Sequence, residues 1–407
     1  MRALILAPPK IVLQTSARDW VDATGGDAVL FTDLSAKDAV LAHAKGAFAE
    51  MHFFKDYNGS GRVEKDALDL HRVDPFLNVV ALAESDVMRA ARLRERWGLG
   101  GLTPQDARLF RDKFEMKRRA ERHGVPVAGF RLTASALDLL EFVEDYRYPI
   151  VVKPVDGKGS AGVRVIADER ALDAYLESPD FTQGKSPLVE SFVPGDMYQV
   201  NGLYVDGACV LVSCVQCVHS NLQFLDGEWL GLRMVAPSNP LWRRLCDFGR
   251  HLLDEVLPMP RNGLFHIELF HTPDDELYLC EAACRLAGCL ANDQIRQAFD
   301  VDIRVEYLKA ECGRREPAEE LRYPPRRLVA ELNVPPQPGT LAALPERAPF
   351  DWVEVYKPYA RVGQTYSKMA YTNGEIASLL IVGETEEQLD ERLREAAHWF
   401  TGATRWA

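Results

Sequence analysis

The sequence predicts a multidomain protein of mixed α/β and α+β class. Three observations lead there. The chain has 407 residues, more than one ordinary hydrophobic core organises, so two or three domains are expected. Residues 1–105 alternate short apolar runs with helical periodicity, the pattern of a small parallel sheet. Beyond residue 105 strands and helices intermix, and a proline-rich stretch around 320 marks a change to a small β-rich region.

In the first region, "ALILA", "AVLFT" and "NVVALAE" read as strands. "DVMRAARLRERWGL" reads as a helix ending at Gly98 and Gly100, residues suited to a C-cap. Thr103 before Pro104 is a helix start, and "DKFEMKRRAERHG" is a helix stopped at Gly124. Then come a helix ("ALDLLEFVEDY"), two strands flanking a glycine-rich loop ("PIVVKPV" and "GVRVIA"), and another helix ("ERALDAYLES"). The strands "PLVESFV" and "QVNGLYVDGACVLVSCVQCV" follow, then the helix "PLWRRLCDFGRHLLDEVL" and the hairpin "GLFHIELFHTPDDELYLCEAACR". "YPPRRLVAELNVPPQPG" reads as a boundary. The remainder, 321–407, reads as a small β-rich cap with a final helix, "TEEQLDERLREAAHWF".

The net charge of −12 argues against a dominant nucleic-acid or anionic-membrane surface. No apolar run reaches the roughly 18 residues of a membrane span. The apolar run in "MRALILAPPKIVL" is too short for a secretory signal. It reads as a first buried strand, and the expected location is cytoplasmic. Cys214 and Cys217 form a C-x-x-C with no second pair and no histidine pair at zinc spacing, inside a β-rich stretch. Reduced, buried structural thiols are expected there.

Residues 148–166, "YPIVVKPVDGKGSAGVRVI", contain a formal G-x-G-x-x-G from Gly157 to Gly162. In a dinucleotide-binding fold that motif joins a strand to a helix, whose N-terminus takes the pyrophosphate. Here Val163-Arg164-Val165-Ile166 follows, β-branched and alternating, hence a strand. The unit is a glycine-rich hairpin, and no G-x-x-x-x-G-K-[S/T] is present either. Such a loop still suits phosphates. Asp156, Gly157, Gly159 and Gly162 supply backbone freedom for N–H donation, and Ser160 adds a hydroxyl. Lys153 interrupts the apolar strand "IVVKPV" just before the loop. A lysine buried there is too costly unless it meets an anion, and phosphate oxygens rather than protein groups are the expected partners.

Together these features resemble the signature of the ATP-grasp superfamily, in which ATP lies between two α+β subdomains beneath a glycine-rich loop. The resemblance covers residues 1–320 in the expected order. It implies an N-terminal Rossmann-like (pre-ATP-grasp) domain at 1–105 and an ATP-grasp domain at 106–320, divided into a lid part (106–188) and a metal-binding part (189–320). The C-terminal β-rich domain, 321–407, follows. Lys113, opening the helix at Asp112, resembles the first phosphate-binding lysine and Lys153 the second. "PLVESFVPG" resembles the hinge strand. That implies Glu190 on the adenine amino group and the backbone near Phe192 and Val193 on the adenine edge.

"HIELF…LYLCEAACRLAG" resembles the metal hairpin, and strand geometry reaches the same place independently. Side chains alternate, so His266 and Glu268 share a face, as do Glu281, Ala283 and Arg285. Folding about "PDDE" sets Glu268 roughly across from residues 279 to 281. Two carboxylates this close need a cation, and hard oxygens select Mg²⁺ or Mn²⁺.

Two positions depart from the family pattern. Ala283 stands where an asparagine metal ligand is usual, and Met197 where a ribose-binding glutamate is usual. Asp196 is the neighbouring acid for the ribose.

The resemblance implies an ATP-dependent carboxylate–amine ligase. One acid is activated as an acyl phosphate and coupled to an amine or amino acid, releasing ADP and phosphate, with Arg285 and His266 near the acyl phosphate. The C-terminal stretch "GEIASLLIVGETEEQLDERLREA" and the E-x-x-x-R pattern resemble the L-amino-acid ligase branch. A carboxylating or carbamoylating enzyme is the alternative, and a non-catalytic ATP-binding protein a further one. A homodimer is implied. Residues 219–239, polar and aromatic, are expected to help form the substrate pocket.

Overall fold

The computed structural model describes residues 2–182, 186–315, 325–369, 371–372 and 374–407. The expected boundary at 320/321 lies outside the described residues.

The N-terminal region is a parallel sheet of β1 (Ala3–Leu6), β2 (Val29–Asp33), β3 (Glu50–Phe54) and β4 (Asn78–Ala81), in the order β3-β2-β1-β4. Every residue of β1 is buried, as a central parallel strand covered on both faces requires. The helix Val87–Trp97 ends at Gly98, which takes the left-handed conformation (φ 67°) that a helix C-cap favours.

A second sheet joins β5 (Phe130–Leu132), β6 (Ile150–Lys153), β7 (Arg164–Ile166) and β8 (Leu188–Ser191), in the order β5-β8-β6-β7. The glycine-rich loop connects β6 to its antiparallel partner β7. The predicted hairpin is therefore a hairpin.

The largest sheet has eight strands. It contains β9 (Asp196–Val205), β10 (Ala208–Cys217), β11 (Leu230–Met234), β12 (Gly263–His271) and β13 (Leu277–Ala283). Three more come from the C-terminal region, which runs β14 (Leu328–Val334), β15 (Gly339–Ala343), β16 (Val353–Pro358), β17 (Thr365–Tyr366), β18 (Ala377–Gly383) and β19 (Arg405–Trp406). The large sheet reads β13-β12-β9-β10-β11-β14-β18-β16, while β15, β17 and β19 form a small sheet of their own. The C-terminal region is β-rich, as expected. Its proline-flanked "RLVAELNV" holds an inner strand of the shared sheet rather than a linker. All seven residues of β14 are buried, because β11 and β18 flank it and helices Ala291–Phe299 and Glu386–Ala403 pack against it.

Cys214 and Cys217 are buried on β10, with Cys214 Sγ 3.6 Å from Cys246 Sγ. Three positions apart on a strand, they point to opposite faces and cannot share a ligand. Among the described residues no helix is long and apolar enough to cross a membrane.

Glu331, on β14, is fully buried. Its Oε1 accepts from Leu290 N at 3.0 Å, while among the described residues no side chain or backbone group meets the hydrogen-bond criteria at Oε2. Burial pushes its carboxyl up to about 7 from 4.5. A folded pKa above the unfolded one favours the native state while the proton is bound. That contribution is complete below pH 4.5 and is lost as pH rises through about 7. Glu331→Gln is therefore expected to raise the free energy of unfolding at pH 8 by about 3 kcal/mol at most, and to change it little near pH 4. Thermal melts at both values check this. A variant equally destabilised at both would refute it.

Candidate nucleotide and acyl-transfer site

A cavity of about 560 Å³ opens where the three regions meet, within the usual size of ligand pockets. β6 brings Lys153 to it and β8 brings Glu190. Helix Lys113–Arg122 brings Lys113 and Lys117, and the β12–β13 hairpin brings His266, Glu268 and Glu281.

Helix Lys113–Arg122 starts at Asp112, whose side chain accepts from Phe114 N and Glu115 N. This cap sets Lys113 in the first turn. Its Nζ lies 3.1 Å from Glu281 and donates to Gly157 O at 2.7 Å. Lys117, one turn later on the same face, escaped the sequence reading although its i,i+4 spacing from Lys113 signals it. It is fully buried, 3.3 Å from Glu190, and donates to Leu279 O at 3.1 Å.

Lys153 is 2.8 Å from the same Glu190 oxygen. The expectation that Lys153 has no protein counter-charge is thus corrected, since the acid of one strand neutralises the lysine of its antiparallel neighbour. Burial alone would raise the Glu190 carboxyl, but Lys117 and Lys153 hold it below the usual range. Burial depresses Lys117, whereas Glu190 outweighs burial at Lys153 and raises it. The closer 2.8 Å pair is the tighter one. Glu190 reaches the cavity wall already committed to two ammonium groups.

Glu268 and Glu281 are register partners across the hairpin, with a bulge just after Glu268. His266 Nδ1 meets Asn201 Oδ1 at 2.8 Å and its Nε2 meets Glu268 Oε1 at 3.3 Å. Burial would raise Glu268, but His266 and the nearby cations hold it low. Among the described residues no three His, Cys, Asp or Glu side chains form a metal cage. Two facing carboxylates, each beside one cationic or imidazole partner, suit a hard divalent ion whose remaining ligands are phosphate and water.

Arg285 lines the cavity, but β13 stops at Ala283, so Arg285 does not extend the strand face of Glu281 and Ala283. It is aimed instead by an ion pair. Its Nε and Nη2 reach Glu84 Oε2 at 2.8 and 2.7 Å, while Arg111 holds Oε1. Glu84 is buried just after β4. Burial would raise its carboxyl, but Arg285 and Arg111 keep it below 4.5. Glu84 was not singled out from the sequence, and no local pattern marks it, because its partner is 201 positions away.

Gly157, Gly159 and Ser160 line the cavity, with Gly162 flanking them. Gly159, Ser160 and Gly162 have φ of 59°, 57° and 72°, the left-handed region that explains the glycines. Thr372 N donates to Gly159 O at 3.0 Å, tying the loop to the C-terminal region. Lys158, exposed on the loop, also faces the cavity.

Phe192 and Val193 line the cavity, and Phe192 is 44% exposed, an apolar surface open to a flat ring. Asp196 is corrected. It does not line the cavity but is exposed and accepts from Gln216 at 3.3 Å, because alternation along β9 turns Met197 and Gln199 inward in its place. Of residues 219–239, Ser220, Asn221, Leu222, Leu230 and Leu232 line the cavity.

Comparison with known proteins matches residues 146–293 to the ATP-grasp domain family. An L-arginine-specific L-amino acid ligase of Bacillus subtilis is 23% identical over 244 residues, 58% of this chain and 58% of that protein. The chain thus spans little more than half the length of that curated relative. The fold is similar to an L-amino acid ligase from Bacillus licheniformis, with TM-score 0.78, 18% identity, and coverage of 100% and 98%. It is also similar to the biotin carboxylase domain of the Hydrogenobacter thermophilus 2-oxoglutarate carboxylase, solved with MgADP, ADP and bicarbonate. There the TM-score is 0.69, the identity 16%, and the coverage 100% and 90%.

Proposed function

We propose that this chain, which has the ATP-grasp fold and carries an ATP-grasp domain, is an ADP-forming carboxylate–amine ligase acting in the cytoplasm. One observation carries the reading. Lys113 and Lys153, from different elements, reach one cavity into which the partnered carboxylates Glu268 and Glu281 also face.

In this reading the adenine sits at the hinge beside Phe192 and Val193, near Glu190. The phosphates lie under the loop from Gly157 to Gly162, against Lys113 and Lys153. The substrate carboxylate attacks the γ-phosphorus, the bond to ADP breaks, and an acyl phosphate forms. The amine then attacks the acyl carbon and phosphate leaves. Lys113 and Lys153 offset the charge on the transferring group, and positioning does most of the rest. Glu268 and Glu281 would hold Mg²⁺ or Mn²⁺, which when bound neutralises phosphate charge. Arg285, aimed by Glu84, offers cationic N–H donors to the acyl phosphate, with His266 nearby. A homodimer is proposed on the family resemblance and is checked by sedimentation velocity.

The test is product analysis with ATP, Mg²⁺ and a matrix of acids and amines. ADP and phosphate are expected, dependent on both substrates. AMP and pyrophosphate would overturn the reading, since they signal adenylate chemistry. ADP release driven by bicarbonate alone would favour a carboxylating enzyme, a reading that the fold likeness to a biotin carboxylase domain keeps in view.

A further inference from the structure

Part of the cavity wall is built by elements that contribute none of the hinge or glycine-loop residues. They are helix Pro9–Gln14, helix Ala291–Phe299 and helix Ile303–Glu311, which supply Lys10, Gln14, Asn292 and Arg304. Arg304 is the unusual member. It is 8% exposed, and its guanidinium donates to neutral oxygens only, Thr15 Oγ1 at 3.1 Å and Gln14 Oε1 at 3.3 Å.

Among the described residues no carboxylate is ion-paired with it. The acids nearby are occupied. Asp302 caps the helix that carries Arg304, and Asp293 pairs with Arg296 at 3.0 Å and Lys357 at 2.9 Å. Burial accordingly lowers the Arg304 pKa from its ordinary value. A buried guanidinium facing a cavity without a counter-charge is costly unless an anion enters to meet it. Lys10, one helical turn before Gln14, adds positive charge to the same wall, tempered by Glu375 at 3.6 Å.

We propose that Arg304 forms an anion subsite that binds a non-reacting carboxylate of the ligase's substrates. Naming that carboxylate as a substrate group rests on the ligase reading above; the subsite itself rests on Arg304. The carboxylate belongs either to the amine partner, as an amino acid's free carboxylate, or to the acid partner, as the second carboxylate of a diacid. Arg304 is a specificity residue that does no chemistry. Gln14 and Thr15 fix its guanidinium so that a planar carboxylate can meet it.

The experiment compares matched pairs on wild type and on Arg304→Met and Arg304→Gln. One arm offers amino acid acceptors against their primary amides. The other offers diacids against their half-amides. In one arm the wild type is expected to favour the free carboxylate about tenfold or more in KM, a ratio that collapses towards one in both variants. The midpoint of the ligand-free variants should not fall, because an unpaired buried charge is removed. A structural arginine would instead give destabilised variants with the ratio intact.

Equal KM values within both wild-type pairs would overturn the proposal. If no pair releases ADP, thermal-shift titration with the same compounds, in the presence of a Mg²⁺–ATP analogue, separates the two claims. Stabilisation by the free carboxylates that is lost in both variants would keep the subsite and sink the ligase reading. Stabilisation indifferent to the carboxylate or to Arg304 would sink the subsite.

Discussion

Lys153→Met is expected to lower turnover by about a thousandfold or more and to lower stability by about 1–3 kcal/mol. The two losses have different origins. Methionine keeps the volume of the side chain at the end of β6 and removes only its charge, so repacking is a minor cost. Turnover falls because an ammonium placed at the cavity to meet phosphate is gone. Stability falls because Glu190, buried and 2.8 Å from Lys153, keeps only Lys117, at 3.3 Å. Breaking a buried pair outright costs about 3–5 kcal/mol, and the remaining lysine makes the expected loss smaller.

The pH dependence has a definite sign. Glu190 has a folded pKa below its unfolded 4.5. Its contribution is therefore present above pH 4.5 and is lost as pH falls through the folded value. The stability gap between wild type and variant should shrink in acid. Adding Glu190→Gln to Lys153→Met should lower the midpoint further, because buried Lys117 then loses the carboxylate 3.3 Å away, and should restore none of the turnover. Denaturant unfolding and ADP-release kinetics measure the two separately. Near wild-type ATP affinity and turnover in the single variant would make Lys153 a structural partner of Glu190 and move the phosphates elsewhere.

Arg285→Lys is expected to reduce kcat about a hundredfold or more while the KM for ATP changes less than about threefold. Two nitrogens of Arg285 hold Glu84, and Nη1 donates to Leu286 O at 3.0 Å. The guanidinium is locked in place before any substrate binds. A lysine has one nitrogen on a flexible stem and cannot keep the Glu84 contacts while presenting a fixed donor to an acyl phosphate. A contact made only after phosphoryl transfer affects the later steps and leaves nucleotide binding alone.

Hydroxylamine with ATP and a usable acid traps the acyl phosphate as a hydroxamate. Wild type should form it and the variant should form far less. Glu84→Gln should act in the same direction with a smaller effect, because the arginine stays but loses its aim. An equal loss of ATP binding and turnover in Arg285→Lys would place Arg285 among the nucleotide contacts.

Much of this site was readable without coordinates because it is written in short-range geometry. A lysine in an apolar strand, glycines at left-handed positions and two acids on facing strands of one hairpin are properties of residues a few positions apart. The period of two along a strand placed Glu268 and Glu281 on one side of the sheet, and the register bears that out. Other features depended on contacts between distant segments, for which the sequence carries no local mark. Glu84, three residues past β4, meets Arg285, two residues past β13, across 201 positions of chain. Arg304 meets Gln14 because two helices 290 positions apart share a wall. The place of β14 within the eight-stranded sheet, between β11 and β18, was decided by tertiary pairing that its proline-rich flanking sequence does not reveal. Asp196 lies outside the cavity for the same reason. Alternation says that neighbours on a strand face opposite ways, but only the packed sheets decide which side becomes the cavity.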